Sequence, residues 1–459
     1  MARKKIIIAG AGPAGLAAAY ELCRLDQNNK FEISIYETEN QIGGIAKTLN
    51  FKGSRFDLGG HRFYSKFPEI NQFYQEFLGK EMLVKKRLSR IYYKNKFFNY
   101  PLNISNTVKN LGLIKSIELG LSWIKRQINP YPEEKNFKQW VANRFGDKLF
   151  EIFFKSYTEK TWGISTNRLS ADWAAQRIQN FNFLKAVLNA CFKINLGAKT
   201  IIDKFYYPKY GPGMLYEKMA EILKTKRVKI KLCHQIIGLK TKRNRIVEVV
   251  STKGKEKTDY FISTLPLNDL ARMLKQKNNL KFRSFITVNF VIKTNPFPDQ
   301  WIYIHDPKVK VARIQNFRNW SQFMVKKSSQ LTPIGMEYFC NEGDDFWSQQ
   351  DKEILYLAKK ELTKIGLVET NQILNGFVYR VKNAYPIYDL NYKKSVEKIR
   401  KIVAKYKNLY LCGRGGLFRY NNQDHSILTG FFVARNIVNN NKKLNVWAIN
   451  NEEKYIEAK

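Results

Sequence analysis

The stretch KKIIIAGAGPAGLAAAYELCRL, residues 4–25, decides the fold. Lys4 to Ala9 reads as a buried parallel strand, because Ile6, Ile7 and Ile8 form an uninterrupted β-branched run. The run enters Gly10-Ala-Gly12-Pro13-Ala14-Gly15, and an Ala- and Leu-rich helix follows from Leu16 to Leu25. At this spacing Gly10 makes a tight turn, Gly12 lets the backbone approach a pyrophosphate, and Gly15 lets the helix pack closely on the strand. The helix N-terminus then offers unpaired N–H groups and the positive end of its dipole to phosphates. A second strand, Phe31 to Tyr36, ends at Glu37, 22 residues past Gly15. An acid there accepts hydrogen bonds from the ribose hydroxyls of an adenosine. The expected class is α/β, with a Rossmann-type dinucleotide-binding domain.

The flanking segments select FAD over NAD as the dinucleotide. Glu37 is followed by a short spacer and the pair Gly43-Gly44, then Ile45. Paired glycines let the backbone pass the ribityl–pyrophosphate stretch without side-chain clash. Residues 56–63, FDLGGHRF, predict a second glycine loop, Gly59-Gly60, against the isoalloxazine ring, with His61 beside it. The site is expected to close from the far end of the chain. Asn408 to Cys412 reads as a buried strand that runs into Gly413-Arg414-Gly415-Gly416. A helix then begins near Asn422-Gln423-Asp424-His425-Ser426, capped by Asp424 or Ser426. Its positive end would face the flavin O2 region and stabilise charge that gathers there on reduction.

Between these ends the pattern is mixed. Residues 66–100 predict a helix over 68–78 and two strand-like runs. Residues 105–200 are helical by periodicity, and 205–265 read as a returning unit with a helix at 214–224 and strands at 228–239, 245–250 and 260–266. Residues 282–340 read as strands of a substrate domain. The division expected is therefore 1–100 for the first part of the FAD-binding domain, 101–204 for a helical insertion and 205–280 for the second FAD-binding part. Residues 281–395 form a mixed β-sheet substrate domain, and 396–459 hold the closing strand, helix and tail.

Composition fits a folded chain: 44% of residues are apolar and 14% aromatic. No run approaches the roughly 18 apolar residues of a membrane span, and the N-terminus lacks a signal-peptide cleavage site, so a cytoplasmic location is expected. The five cysteines form no CxxC pair and the four histidines have no ligand spacing, so neither disulfides nor a metal are expected. The formal charge of +40 attracts anions. It is spread along a chain rich in Lys, Asn and Ile with no nucleic-acid motif, so no nucleic-acid partner is expected; a peripheral membrane contact stays open, although no single helix points to one.

Several longer motifs carry a family resemblance over nearly the whole chain: GGIAKT, DLGGHRF, TEKTWGI, SADWAAQRI, Trp301-Ile-Tyr303, ARIQNF, Ala384-Tyr385-Pro386 and GRGGLFRYNNQDHS. The chain resembles UDP-galactopyranose mutases, the eukaryotic-like branch and its bacterial homologues, within the amine oxidase and protoporphyrinogen oxidase superfamily. The resemblance implies a reduced FAD whose N5 acts as nucleophile at the anomeric carbon of a nucleotide diphosphate sugar, with pyranose–furanose ring contraction and no net redox. It also implies NAD(P)H as a transient reductant. The arginines that hold the diphosphate in the family fall on Arg177 and Arg313, and the tyrosines on Tyr303, Tyr385 and Tyr420. Tyr100 would border the substrate, Trp162 would either wall the pocket or sit in the core as a packed aromatic, and His61 and Arg414 would lie close to the flavin ring. Catalytic roles are thus implied for His61, Arg177, Arg313 and Arg414. After Tyr100-Pro101 the chain departs from the family, with Leu102-Asn103 where an aromatic and a glutamine hold uracil. The alternative from the wider superfamily is an FAD-dependent oxidoreductase of the amine oxidase, protoporphyrinogen oxidase or desaturase type.

Overall fold

The computed structural model describes residues 3–177, 204–326 and 330–450. Five parallel strands make the first sheet: β1 (Lys4–Ala9), β2 (Phe31–Tyr36), β9 (Lys229–Lys231), β13 (Tyr260–Ser263) and β19 (Leu409–Leu411). Their order is β9-β2-β1-β13-β19. The order reverses direction between β1 and β13, and in a doubly wound sheet a ligand crevice opens at the carboxyl ends of such neighbours. Both bounds of β1 and β2 fall where the sequence pattern places them. Ile6, Ile7 and Ile8 are fully buried because both faces are covered: Ile6 and Ile8 pack with the helical layer, and Ile7 packs with Ile236, Ile246 and Val249 and with Leu267 and Leu270.

Helix α1 (Pro13–Leu25) follows β1. At the other end of the chain α11 (Gln423–Val438) lies against it so closely that a Cβ on Gly430 would stand 2.4 Å from the Ala14 carbonyl oxygen. α2 (Pro68–Leu78) and α8 (Gly213–Thr225) complete this layer, with Phe73, Tyr74, Tyr216 and Met219 buried in its core.

A seven-stranded sheet forms the second lobe. It comprises β6 (Ser89–Tyr93), β7 (Lys96–Asn99), β14 (Phe282–Ile292), β15 (Trp301–Ile304), β16 (Arg313–Asn316), β17 (Thr332–Cys340) and β18 (Ile373–Pro386). The order is β18-β14-β17-β16-β15-β6-β7, antiparallel except where β15 meets β6. All eleven residues of β14 are buried, as a strand with neighbours on both sides and cover on both faces should be. α9 (Asp351–Lys364) packs on this sheet through Ile354, Ala358 and Leu362.

The remaining strands form small sheets: β3 (Thr48–Phe51) with β4 (Ser54–Asp57), β5 (Met82–Lys86) with β8 (Lys204–Pro208), and β10 (Ile236–Lys242), β11 (Arg245–Ser251) and β12 (Gly254–Lys257) together. The described part of the helical insertion holds α3 (Ile104–Leu111), α4 (Leu113–Ile128), α5 (Phe137–Phe145), α6 (Ser156–Trp162) and α7 (Ala171–Arg177). The expected helical continuation over 178–203 lies outside the described residues. α10 (Tyr392–Ala404) precedes β19.

Three expectations need correction. The two strand-like runs before Pro101 are three strands, and β6 and β7 pair into the second lobe, so residues 89–99 leave the 1–100 flavin-binding unit. The single strand over 228–239 is two strands in different sheets, because Cys233 takes a left-handed φ of 56° and turns the chain between them. The N-cap of α11 is Asn422, not Asp424 or Ser426.

Gly430→Val tests the contact between the two chain ends. A side chain there meets backbone, so overpacking should cost about 1–3 kcal/mol. Thermal unfolding followed by circular dichroism should show a lowered midpoint; an unchanged midpoint would mean that α1 and α11 can separate freely.

Candidate active site

A cavity of about 1180 Å³ opens at the carboxyl ends of β1 and β13 and runs to the face of the seven-stranded sheet. That is larger than the volume a drug-sized ligand needs, which is at most about 1,000 Å³. Gly10, Gly12, Pro13, Ala14 and Glu37 line its first part. A Cβ on Gly10 would meet the Thr264 hydroxyl oxygen at 2.2 Å, and that hydroxyl donates to the Ala9 carbonyl at 2.6 Å, so the turn tolerates no side chain. Gly15 stands off the wall: its missing Cβ would lie 2.0 Å from the Gly10 carbonyl oxygen, which is the helix–strand packing role that its spacing predicts. A Cβ on Gly12 would touch no protein atom nearer than the Gly44 Cα at 3.8 Å, so the space beside it is cavity.

The Glu37 carboxylate accepts the Ala11 N–H at 2.8 Å through one oxygen and the Glu39 N–H at 3.0 Å through the other. Each oxygen keeps a second lone pair for a ligand hydroxyl. Gly44 and Ile45 line the wall, whereas Gly43, with φ 100°, turns the chain behind them and donates its N–H to the Ala11 carbonyl.

The middle of the cavity is bounded by Gly59, Gly60 and His61 on one side and by Gly413, Arg414, Asn422, Gln423, Asp424 and Ser426 on the other. These are loops from residues more than 350 positions apart, brought together by the packing of α11 on α1. Gln423 is fixed by the Tyr216 hydroxyl, which donates to its side-chain oxygen at 2.7 Å. Burial, with the guanidiniums of Arg414 and Arg313 beside it, pushes the His61 imidazole down to about 3. His61 is therefore neutral near pH 7, bonded to the Gly59 backbone, with Nδ1 buried and unpartnered.

Beyond the loops, Tyr303, Arg313, Tyr385 and Tyr420 line the end of the cavity, together with Trp301, Gln315 and Trp320. The rings of Tyr385 and Tyr420 stack with centroids 5.3 Å apart and planes 16° from parallel. The Arg414 guanidinium lies 4.7 Å from the Tyr420 ring centre and 5.2 Å from that of Tyr385. Its Nε donates to the Asn421 carbonyl at 2.9 Å. Arg313 pairs with the buried Glu337 at 2.5 Å and donates to the Tyr385 hydroxyl at 3.4 Å. Glu337 holds the Arg313 guanidinium protonated, and burial, with Tyr420 nearby, raises the Tyr385 phenol to about 12.

Of the two readings of Trp162, the structure takes the core aromatic: it is buried behind the wall, edge-on to Trp173 at 4.4 Å and near Tyr385 and Tyr420, so it supports the tyrosines from the core. Tyr100 sits outside the cavity, its ring 4.9 Å from that of Tyr303. Arg177 ends α7, and its side chain lies outside the described residues. Glu337 and Gln315 escaped the sequence reading. A lone carboxylate in the otherwise uncharged strand TPIGMEYFC was the available signal, since a buried charge needs a partner.

The residues present fit a flavin dinucleotide on a structural observation. Buried polar atoms without a hydrogen-bond partner in the protein gather on this wall: His61 Nδ1, Arg313 Nε, Gln315 Oε1 and Asn421 Nδ2. Buried polar groups are ordinarily paired, so such a cluster marks a ligand site.

Comparison with known proteins agrees. A model of the family "Flavin containing amine oxidoreductase" matches residues 13–438. The chain belongs to this family. Among curated proteins it is similar to a "Probable UDP-galactopyranose mutase" of Klebsiella pneumoniae, 22% identical over 189 residues, 40% of this chain and 47% of that one. The curated relatives it matches are covered over only 11% to 59% of their length. Among solved structures it is similar to a reduced UDP-galactopyranose mutase, with a TM-score of 0.84 at 21% identity over 98% of this chain and 100% of the other. A protein assigned as a protoporphyrinogen oxidase from Exiguobacterium sp. 255-15 gives a TM-score of 0.73 at 16% identity, over 95% and 99%. At these identities the likeness is one of fold. Family membership places the protein among the flavin-containing amine oxidoreductases. Among the described residues no helix is long and apolar enough to cross a membrane.

Gly12→Val should yield protein without the yellow flavin absorbance, because the side chain enters the cavity; a fully yellow variant would contradict the cofactor assignment of this loop. The His61 shift carries a pH dependence. The unfolded imidazole titrates near 6.5 and the native one near 3, so between those values the unfolded chain binds the extra proton. Stability should fall as pH drops through that window, and His61→Asn should flatten the fall in thermal melts.

Proposed function

We propose that the protein is an FAD enzyme acting on a nucleoside-diphosphate sugar, a mutase of the UDP-galactopyranose mutase type that works with its flavin reduced. The observation that carries this reading is the substrate end of the cavity, where Tyr385 and Tyr420 are stacked at 5.3 Å with the Arg414 guanidinium beside both rings. An amine substrate held between two aromatic faces needs roughly 3.5 Å on each side, hence faces about 7 Å apart. These faces are too close, and Arg414 already occupies the position of a cation.

Two guanidiniums and three phenols suit a diphosphate instead, because planar guanidinium forks match phosphate oxygens and hydroxyls donate to the rest. Glu337 fixes the orientation of Arg313 and leaves its Nε free to donate. The neutral His61 offers Nδ1 as an acceptor toward the bound groups. Trp301 and Trp320 give the cavity a dry wall, which strengthens these charge interactions. Bound and reduced, FAD would supply the nucleophile for the anomeric carbon, with NAD(P)H as the transient reductant.

The base remains the variable part of the proposal. Asn103, at the departure from the family pattern, serves as the N-cap of α3, its side-chain oxygen accepting the Asn106 N–H at 3.2 Å, and neither it nor Leu102 lines the cavity. The test is incubation with UDP-, GDP- and dTDP-hexoses, with and without dithionite, read by chromatography. An isomeric product that forms only with reduced flavin is expected. No product from any sugar, with the oxidised flavin bleached by amines or polyenes, would favour the oxidoreductase reading. Arg313→Ala should keep FAD and weaken nucleotide-sugar binding by at least about tenfold.

A further inference from the structure

Helix α4 is mounted with its apolar side outward. Ile114, Ile117, Leu121, Ile124 and Ile128 recur every three or four residues and so form one stripe along the helix. Their exposures are 76%, 53%, 62%, 49% and 79%, and Leu113 at the start is 70% exposed. The opposite face anchors the helix. Leu119 is buried, the Trp123 indole N–H donates to the Arg144 carbonyl at 3.2 Å, and Arg126 pairs with Asp147 at 2.8 Å. Gln127 donates to the Asn143 carbonyl at 2.8 Å, and the Ser122 hydroxyl accepts the Lys148 N–H at 3.0 Å.

An amphipathic surface helix normally buries its stripe and shows its polar face to water. Here specific polar contacts fix the reverse. The stripe is roughly 20 Å long, and with five large aliphatic side chains more than half exposed and Ile124 at 49% it reaches the order of several hundred Å², the upper end of what monomers leave open.

Charge decides between occupants. A second copy would bring another +40 toward this one, whereas an anionic surface is attracted by the same field. On α4 itself Lys115 and Lys125 flank the stripe, with Arg126 behind and Glu118 as the helix's one acid. We propose that α4 docks the protein in the plane of an anionic lipid surface, with the stripe in the headgroup–acyl boundary and the lysines at the phosphates. The 16-residue helix is too short to span a bilayer and lies on it. Docking would also place the cavity near that surface. α3, next to α4 in the chain, accepts the Asn99 N–H on its Asn106 side chain, beside Tyr100 and hence Tyr303 on the cavity wall.

The test uses the full chain with flavin bound, co-sedimented with vesicles of phosphatidylcholine plus phosphatidylglycerol and with vesicles of phosphatidylcholine alone. Sedimentation with the anionic vesicles, weakened by salt, is expected. The triple variant Ile117→Ser, Leu121→Ser, Ile124→Ser should keep its flavin and melting temperature and bind those vesicles at least about tenfold less. Failure of the parent chain to sediment, equal binding to neutral vesicles, or unchanged binding by the triple variant would each overturn the proposal. So would a dimer, seen by light scattering, that the same variant dissolves, which would assign the stripe to a second copy.

Discussion

The contact between α1 and α11 is the constraint on which the rest of the molecule depends. One helix begins 13 residues into the chain and the other more than 400 residues later, yet they approach until the Gly430 Cα faces the Ala14 carbonyl with no room for a methyl group. That approach puts the strand–glycine–helix unit of Lys4–Leu25 beside the one of Leu409–Val438. Two helix N-termini then converge on one crevice, and the seven-stranded sheet is built from segments inserted between the strands of the first sheet. The substrate lobe can be built from strands as distant as β6 and β18 because the two chain ends already fix the frame.

At the far end of the cavity the controlling feature is electrostatic. Glu337 is almost fully buried and balances Arg313, while Arg414 is held by backbone carbonyls and aromatic faces, with no carboxylate partner among the described residues. The Arg414 charge is therefore not neutralised by direct contact with a carboxylate among the described residues, and it can act on an anionic ligand. His61, neutral between these cations, adds none.

The glycine loops and both flanking strand–helix units were legible because each depends on local chemistry: β-branched runs, turns that only glycine can make, and helix starts. What failed to read out depends on tertiary partners. The 228–239 run has strand character throughout, and only the left-handed turn at Cys233 divides it between two sheets. Trp162 belongs to a recognisable motif, but its direction is set by Trp173 packing against it. Glu337 needed Arg313 across the β16–β17 ladder to acquire a role. For α4 the period of three and four residues predicts a helix with one apolar face; which way that face turns is settled by Trp123, Arg126 and Gln127, whose partners lie far along the chain.

The central claim is that the substrate end of the cavity binds a diphosphate and rejects an amine. Titration calorimetry of the flavin-loaded chain with nucleoside diphosphates and, separately, with putrescine tests it most directly. The account predicts saturable binding of at least one diphosphate, lost in Arg313→Ala, and no heat from the diamine. Saturable diamine binding with no response to any diphosphate would contradict it.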